Sequence, residues 1–388
     1  MKDEVKAKLA VDSGGSAPSR SAHHMKRFLI TILIVVAVLV AALGLAIALG
    51  GPGEPPPPMS SINDPFKNVD FSDLPERSHF TARDGAKIAF RAYPAIGDAI
   101  KGSVVLVHGS SASSSSMHVM AKSFAAAGYA AYAVDIRGHG QSGAKGHIAY
   151  IGQLEEDMED FVRAIKLAQP STLVGFSSGG GFVLRFAGSP RQELFSNYLL
   201  LSPWISQDAA TLRPGSGGWA TVGVPRIIAI AVLNGFGMHA FDDLPVVRFA
   251  VDERDKGLLT PQYSFALEQN FRPERDYQAN IRAVGQPLRV LAGKNDEVFY
   301  ADKFASVFKT AGKDVPITLL PGIDHISLTL DQAALQAAIS AVESMDHERP
   351  NQAMERTATR RMFTFQITKS FSRRAAPALV SGRSSSSR

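Results

Sequence analysis

The chain has no cysteine among its 388 residues. That excludes a disulfide framework, a thiolate nucleophile and any zinc or iron–sulfur centre held by cysteine. Charge is sparse as well, at 20% of residues against 45% hydrophobic. Such a composition fits neither a disordered chain nor a coiled coil, nor a chain wholly embedded in lipid. The small excess of positive charge, +5 overall, sits at the two ends. Residues 1–27 carry +3 and residues 349–388 carry +8, which leaves −6 for residues 28–348.

The longest apolar run, Phe28 to Leu49, carries no charge: FLITILIVVAVLVAALGLAIAL. As a helix these 22 residues would span about 33 Å, enough to cross a hydrocarbon core. A signal peptide carries a shorter apolar region, so an uncleaved transmembrane helix is expected. Lys26 and Arg27 precede it, and the first charges after it are Glu54 and Asp64. The positive-inside rule then puts residues 1–27 in the cytoplasm and the bulk of the chain on the extracytoplasmic, periplasmic side. GPGEPPPPM, residues 50–58, opens a proline-rich linker expected to run to residue 77.

From residue 78 to about 348 the chain reads as one α/β domain. A hairpin with Asp84-Gly85 at its turn opens it. Short apolar runs then alternate with helical patterns: strands at 103–107, 129–134, 171–176, 198–201, 287–292 and 316–320, helices at 117–127 and 154–168. This rhythm predicts a mostly parallel sheet of about eight strands flanked by helices. Residues 206–280 break it with Gly215, Gly217, Gly218 and the apolar run 224–233, and are expected to form a helical cap. Trp204, Trp219, Phe236, Met238 and Phe241 are candidates to line an apolar pocket there. The basic tail 349–388 ends in SGRSSSSR and is expected to be disordered. It lacks the interleaved aromatics of a nucleic-acid-binding segment, so no nucleic-acid partner is expected.

The sharpest chemical signal is Gly175-Phe176-Ser177-Ser178-Gly179, placed where the strand ending LVGF meets a helix start. A serine on such a strained turn needs small neighbours two residues either side, and its hydroxyl stands at a helix amino end. Asp296 follows the strand LRVLAG and His325 follows ITLLPG. Nucleophile, acid, histidine is a chain order known for a Ser-His-Asp triad. Ser177 is then the nucleophile, His325 the general base and acid, and Asp296 the carboxylate that orients the imidazole. Glu297 and Asp324 are rival acids. Two backbone N–H groups, those of Ser110 after His108-Gly109 and of Ser178 after the nucleophile, are candidates for the oxyanion hole. This chemistry requires neither metal nor cofactor.

Together with His108-Gly109, the Gly175–Gly179 turn, Asp296 and His325, the stretch Asp135-Ile136-Arg137-Gly138-His139-Gly140-Gln141-Ser142 carries a resemblance over residues 78–345. The chain resembles the α/β-hydrolases of the serine aminopeptidase S33 branch, which includes lysophospholipase- and monoacylglycerol-lipase-like enzymes. The resemblance implies an eight-stranded core, a variable cap, no cofactor and hydrolysis of carboxylic esters. It also implies a structural role beside the site for Asp135 and Arg137, which would pin their loop. One departure stands out: the lipase-like members carry a Glu-His pair shortly after His-Gly, where this chain has Ser and Ala. The expected function is a membrane-anchored serine hydrolase acting on a small-molecule or lipid ester. A serine peptidase or amidase of the same fold, and a non-catalytic binding protein on a hydrolase scaffold, are the alternatives.

Overall fold

The computed structural model describes residues 20–214, 218–252, 255 and 257–348. The N-terminal residues 1–19, Gly215, Gly217 and the basic tail 349–388 lie outside the described residues. The described chain forms two compact units.

The larger unit, Pro52–Val222 with the chain from Ala240 onward, is built on an eight-stranded sheet. Its strands are β1 (Ser78–Thr81), β2 (Lys87–Tyr93), β3 (Gly102–Val107), β4 (Tyr129–Val134), β5 (Ser171–Phe176), β6 (Asn197–Leu201), β10 (Leu288–Gly293) and β11 (Ile317–Leu320). The strand order is β1-β2-β4-β3-β5-β6-β10-β11. The β1–β2 hairpin and the β2–β4 pairing are antiparallel, and all other pairings are parallel. Central strands such as GSVVLV and STLVGF are buried at every residue, as expected of a sheet covered on both faces. One covering layer is α3 (His118–Ala126) with the helix over 332–348, which close a core around Phe124, Leu106, Leu199 and Val342. Full burial of each such side chain stabilises the fold by about 1.5–3 kcal/mol. On the other face lie α4 (Gln153–Ile165) and α5 (Ser178–Ala187). The acidic first turn of α4 suits the positive end of the helix dipole.

The sheet sets up the site through its order. β3 has β4 on one side and β5 on the other, so the loops after β3 and β5 diverge at a topological switch point. Register brings the strand ends level: Val107 pairs with Gly175, Phe176 with Leu201, and Gly293 with Leu320.

Between β6 and β10 the structure differs from a purely helical insertion. β7 (Ala220–Val222), β8 (Pro245–Phe249) and β9 (Gln262–Ser264) form a separate three-stranded antiparallel sheet. These runs are only three to five residues long, too short for their alternation to stand out in the sequence. The helices α7 (Phe265–Asn270) and α8 (Tyr277–Ala283) follow. The segment expected to be plain linker is also partly ordered. α2 (Ser60–Asn63) and a 3-10 turn (Asp64–Asn68) form there, and Ile62 and Phe66 pack against the core.

The smaller unit comprises the chain up to Gly51 and Gly223–His239. Residues 223–239, expected to belong to the cap, therefore cluster with the N-terminal helix. Here α1 (Arg20–Leu49) carries the long apolar run, and α6 (Val224–Asn234) packs beside it. From Phe28 to Leu45 nearly every large apolar side chain of α1 is exposed.

Candidate active site

Ser177 occupies the turn between β5 and α5 with φ +55° and ψ −120°, a conformation that costs a non-glycine residue about 1–3 kcal/mol. The surroundings hold it there. Its N–H donates to the Leu201 carbonyl (2.9 Å), and its own carbonyl accepts from Gly181 (3.1 Å) and Trp204 (2.9 Å). The two flanking glycines are required by space. A Cβ on Gly179 would stand 2.3 Å from the His108 carbonyl oxygen, and one on Gly175 would stand 2.3 Å from that of Gly179.

Asp296 and His325 arrive from the loops after β10 and β11. His325 Nε2 lies 3.1 Å from Ser177 Oγ, and His325 Nδ1 lies 2.9 Å from Asp296 Oδ2. All three residues are buried. The other carboxylate oxygen of Asp296 accepts the backbone N–H groups of Val298 and Phe299, both at 2.8 Å. Burial pushes the Asp296 carboxyl up, but the His325 ring and these donors outweigh it and hold it below its ordinary value. Burial pulls His325 down, and the carboxylates of Asp296, Glu297 and Asp324 more than reverse this, so its pKa lies above 6.5. The two rival acids fall into other positions. Glu297 Oε2 accepts the backbone N–H of His325 (3.0 Å), and Asp324 accepts that of Ser327 (2.8 Å). The ring of His325 is walled by Phe176 and Phe299.

The loop after β3 lies on the same cavity. His108 is buried, with Nδ1 2.8 Å from the Gly109 carbonyl and Nε2 accepting the Ile136 N–H (3.2 Å). Ser110 and Ser111 are held by the insertion, which sequence reasoning missed. Trp219 Nε1 donates to Ser110 Oγ (2.8 Å). Ser111, at φ +67°, donates its N–H to the Tyr263 hydroxyl (2.7 Å) and its own hydroxyl proton to the Thr260 carbonyl (2.7 Å). The Tyr263 oxygen is in turn 2.6 Å from His139 Nε2. The Arg137 carbonyl facing His139 Nδ1 can only accept, so in the neutral ring Nδ1 carries the proton and Nε2 accepts that of the phenol. Burial holds His139 well below 6.5 and hence neutral, with Nδ1 facing the Arg137 carbonyl at 3.3 Å. Ser178 is the first residue of α5.

Asp135 and Arg137 brace this region in different ways. Asp135 accepts the N–H groups of Ser114 (2.7 Å) and Gln141 (3.0 Å), tying two loops together. Arg137 pairs with Asp157 (2.6 Å) and Asp84 (2.9 Å).

Ser177 and His325 open onto a cavity of about 610 Å³. Its apolar wall includes Ile62, Phe66 and Phe71 from the segment before β1, Trp219 and Leu258 from the insertion, and Val298. The three apolar residues at 62, 66 and 71 were the signal available in the sequence for this wall. Of the expected pocket aromatics, only Trp219 lines the cavity. Trp204 instead lies under the Arg272 guanidinium, Phe241 is exposed, and Phe236 and Met238 are exposed on the smaller unit. Among the described residues no group of three or more His, Asp and Glu is placed to hold a metal ion.

Comparison with known proteins agrees with the fold. A monoacylglycerol lipase of Mycolicibacterium smegmatis is 27% identical over 246 residues, which are 58% of this chain and 81% of that protein. A soluble variant of monoglyceride lipase from Saccharomyces cerevisiae, in complex with a substrate analog, superposes with a TM-score of 0.52 at 19% identity, over 70% of this chain and 94% of that one. A monoacylglycerol lipase of Paleococcus ferrophilus gives a TM-score of 0.50 at 19% identity, over 67% and 98%. Structural likeness at such identity shows the fold. The sequence model of the family described as serine aminopeptidase, S33, goes further, matching residues 98–332. The chain is thus a serine hydrolase of the α/β-hydrolase superfamily and belongs to the family described as serine aminopeptidase, S33.

Proposed function

We propose that the protein is a membrane-anchored hydrolase of apolar carboxylic esters, using Ser177, His325 and Asp296 as its triad. The observation that carries this reading is the continuous chain from Ser177 Oγ to His325 Nε2 (3.1 Å) and from His325 Nδ1 to Asp296 Oδ2 (2.9 Å), facing a cavity with apolar walls. Ser177 Oγ attacks the ester carbonyl while His325 Nε2 takes its proton. The resulting oxyanion is held by the N–H groups of Ser110 and Ser178. Asp296 keeps the Nδ1–H tautomer and stabilises the imidazolium. His325 then protonates the leaving alcohol, and the acyl-enzyme is hydrolysed by a water that His325 activates in the same way.

An ester of a medium-length acyl chain suits a volume of about 610 Å³ walled by Ile62, Phe66, Phe71 and Leu258. In the same reading residues 1–27 stay in the cytoplasm, 28–49 span the bilayer, and the hydrolase domain, 78–348, works on the extracytoplasmic side, with residues 60–71 packed against it and residues 50–59 as the tether. The insertion between β6 and β10 acts as the cap, supported by the share of the cavity wall that Trp219, Leu258 and Leu259 supply.

Treatment with a fluorophosphonate probe is expected to label the wild-type chain and not Ser177→Ala. A panel of p-nitrophenyl esters of increasing chain length, set against an aminoacyl amide, is expected to favour the esters. A clear preference for the amide would replace the esterase reading with a peptidase one.

A further inference from the structure

We propose that α6 is a second membrane contact: an interfacial helix that lays an apolar face into the bilayer at the level where α1 leaves it. The proposal rests on reading α1 as a membrane span.

The sequence of α6 is VPRIIAIAVLN, in which only Arg226 and Asn234 are polar. Eleven residues make a helix of about 16 Å, too short to cross a bilayer. An apolar helix of this length is either a core helix or an interfacial one. Core packing does not account for it, because its buried residues are Ala229 and Ile230 alone. Val224, Ile228 and Val232, exposed by 53%, 58% and 40%, recur every fourth residue and form one stripe. Phe236, 78% exposed, and Met238 extend the apolar surface beyond the helix end.

The contact with α1 sets the depth. Arg226 Nε donates to the Ile47 carbonyl (2.8 Å), its Nη2 to that of Ala48 (3.2 Å), and its backbone N–H to that of Gly50 (3.2 Å). The first two belong to the last turn of α1, whose carbonyls have no partner within the helix, and a guanidinium there also complements the helix dipole. The apolar run ends at Leu49, ahead of Gly50-Gly51-Pro52, so these carbonyls mark the edge of the hydrocarbon. Arginine is suited to that edge, with its stem in apolar surroundings and its head among polar groups. The stripe of α6 thereby continues the exposed apolar surface of α1, and the occupant it fits is lipid acyl chain, entered to a depth of about 5–10 Å.

Because the chain has no cysteine, single substitutions give unique labelling positions. Full-length Ile228→Cys, Phe236→Cys, Val38→Cys and Ser306→Cys proteins, each carrying an environment-sensitive NBD label, would be reconstituted in phosphatidylethanolamine/phosphatidylglycerol vesicles. Matched vesicles would carry a nitroxide at position 5 of the acyl chain, or at position 12 to report the mid-span label at 38. Thermal melts show that each labelled protein is folded. Val38 reports the anchor, and Ser306, exposed on the larger unit, is the aqueous control. The expected result is that labels at 228 and 236 are blue-shifted and quenched at least two-fold relative to 306. Quenching at 38 without quenching at 228 and 236 would leave the anchor standing and overturn the proposal. A lack of quenching at 38 would remove the anchor reading itself, and the proposal with it.

Discussion

Two opposed effects meet at His325. Burial disfavours its charge, while Asp296, Glu297 and Asp324 favour it and prevail, so its pKa lies above 6.5. In the proposed mechanism His325 must be neutral to accept the Ser177 proton, so kcat/KM is expected to rise with pH along an acidic limb displaced upward from the ordinary imidazole range. Glu297→Gln removes one of the favouring charges while keeping an acceptor for the His325 N–H. Its limb is expected to move to lower pH, with kcat on the alkaline plateau within a few-fold of wild type, as a pH–rate series would show. Asp296→Asn also loses the tautomer control, and a fall in kcat of about 10⁴ is expected in a steady-state assay. The convergence of Ser177, Asp296 and His325 was legible in the sequence because each sits just past a strand end. Tyr263 was not legible. It acts through a backbone N–H, that of Ser111, and main-chain partners leave no pattern in residue types. Tyr263→Phe leaves that buried donor unpaired, a cost of about 1–3 kcal/mol. A roughly ten-fold loss in kcat with little change in KM is expected, matched by weaker binding of a boronic-acid transition-state analogue.

The turn between β5 and α5 works because three elements crowd it. Gly179→Ala would drive a methyl group into the carbonyls of His108 and Val107, 2.3 and 2.7 Å away. The expected outcome is loss of fluorophosphonate labelling even where circular dichroism shows the fold retained. The loop after β4 depends on charge instead. Arg137 answers two carboxylates, Asp84 and Asp157, and burial pushes the Asp157 carboxyl above its ordinary value despite that pairing. Arg137→Met leaves Asp157 buried without its cation, at a cost of about 3–5 kcal/mol. A drop in Tm of roughly 10 °C is expected by calorimetry. The strands of the main sheet were readable because burial on both faces makes them continuous apolar runs ended by Gly, Asp or Ser. β7, β8 and β9 were not, since each is three to five residues long and their pairing depends on contacts across the insertion. The segment at 60–68 was hidden for a similar reason, its apolar residues being few and separated by polar ones.

Charge across the whole molecule follows its organisation: the basic residues gather at the ends, and residues 28–348, at −6, are mildly acidic. The run from Phe28 to Leu49 was legible from hydropathy alone, whereas the association of α6 with α1 was not, because 175 or more positions separate them in the chain and only folding brings Arg226 to Ile47. If α1 spans a bilayer, the full-length protein stays in the membrane fraction after alkaline carbonate washing and leaves it only with detergent, as immunoblotting of the fractions would reveal. The clasp on Ser110 and Ser111 by Trp219, Thr260 and Tyr263 has a consequence for how this enzyme could diversify. An insertion that only shaped the substrate pocket could be exchanged between relatives as a separate part. Here an exchanged insertion would arrive without the indole and the phenol that hold the loop after β3. If the loop after β3 supplies the oxyanion donor as proposed, substrate range and turnover are inherited together, and a graft that alters one must carry those residues to preserve the other.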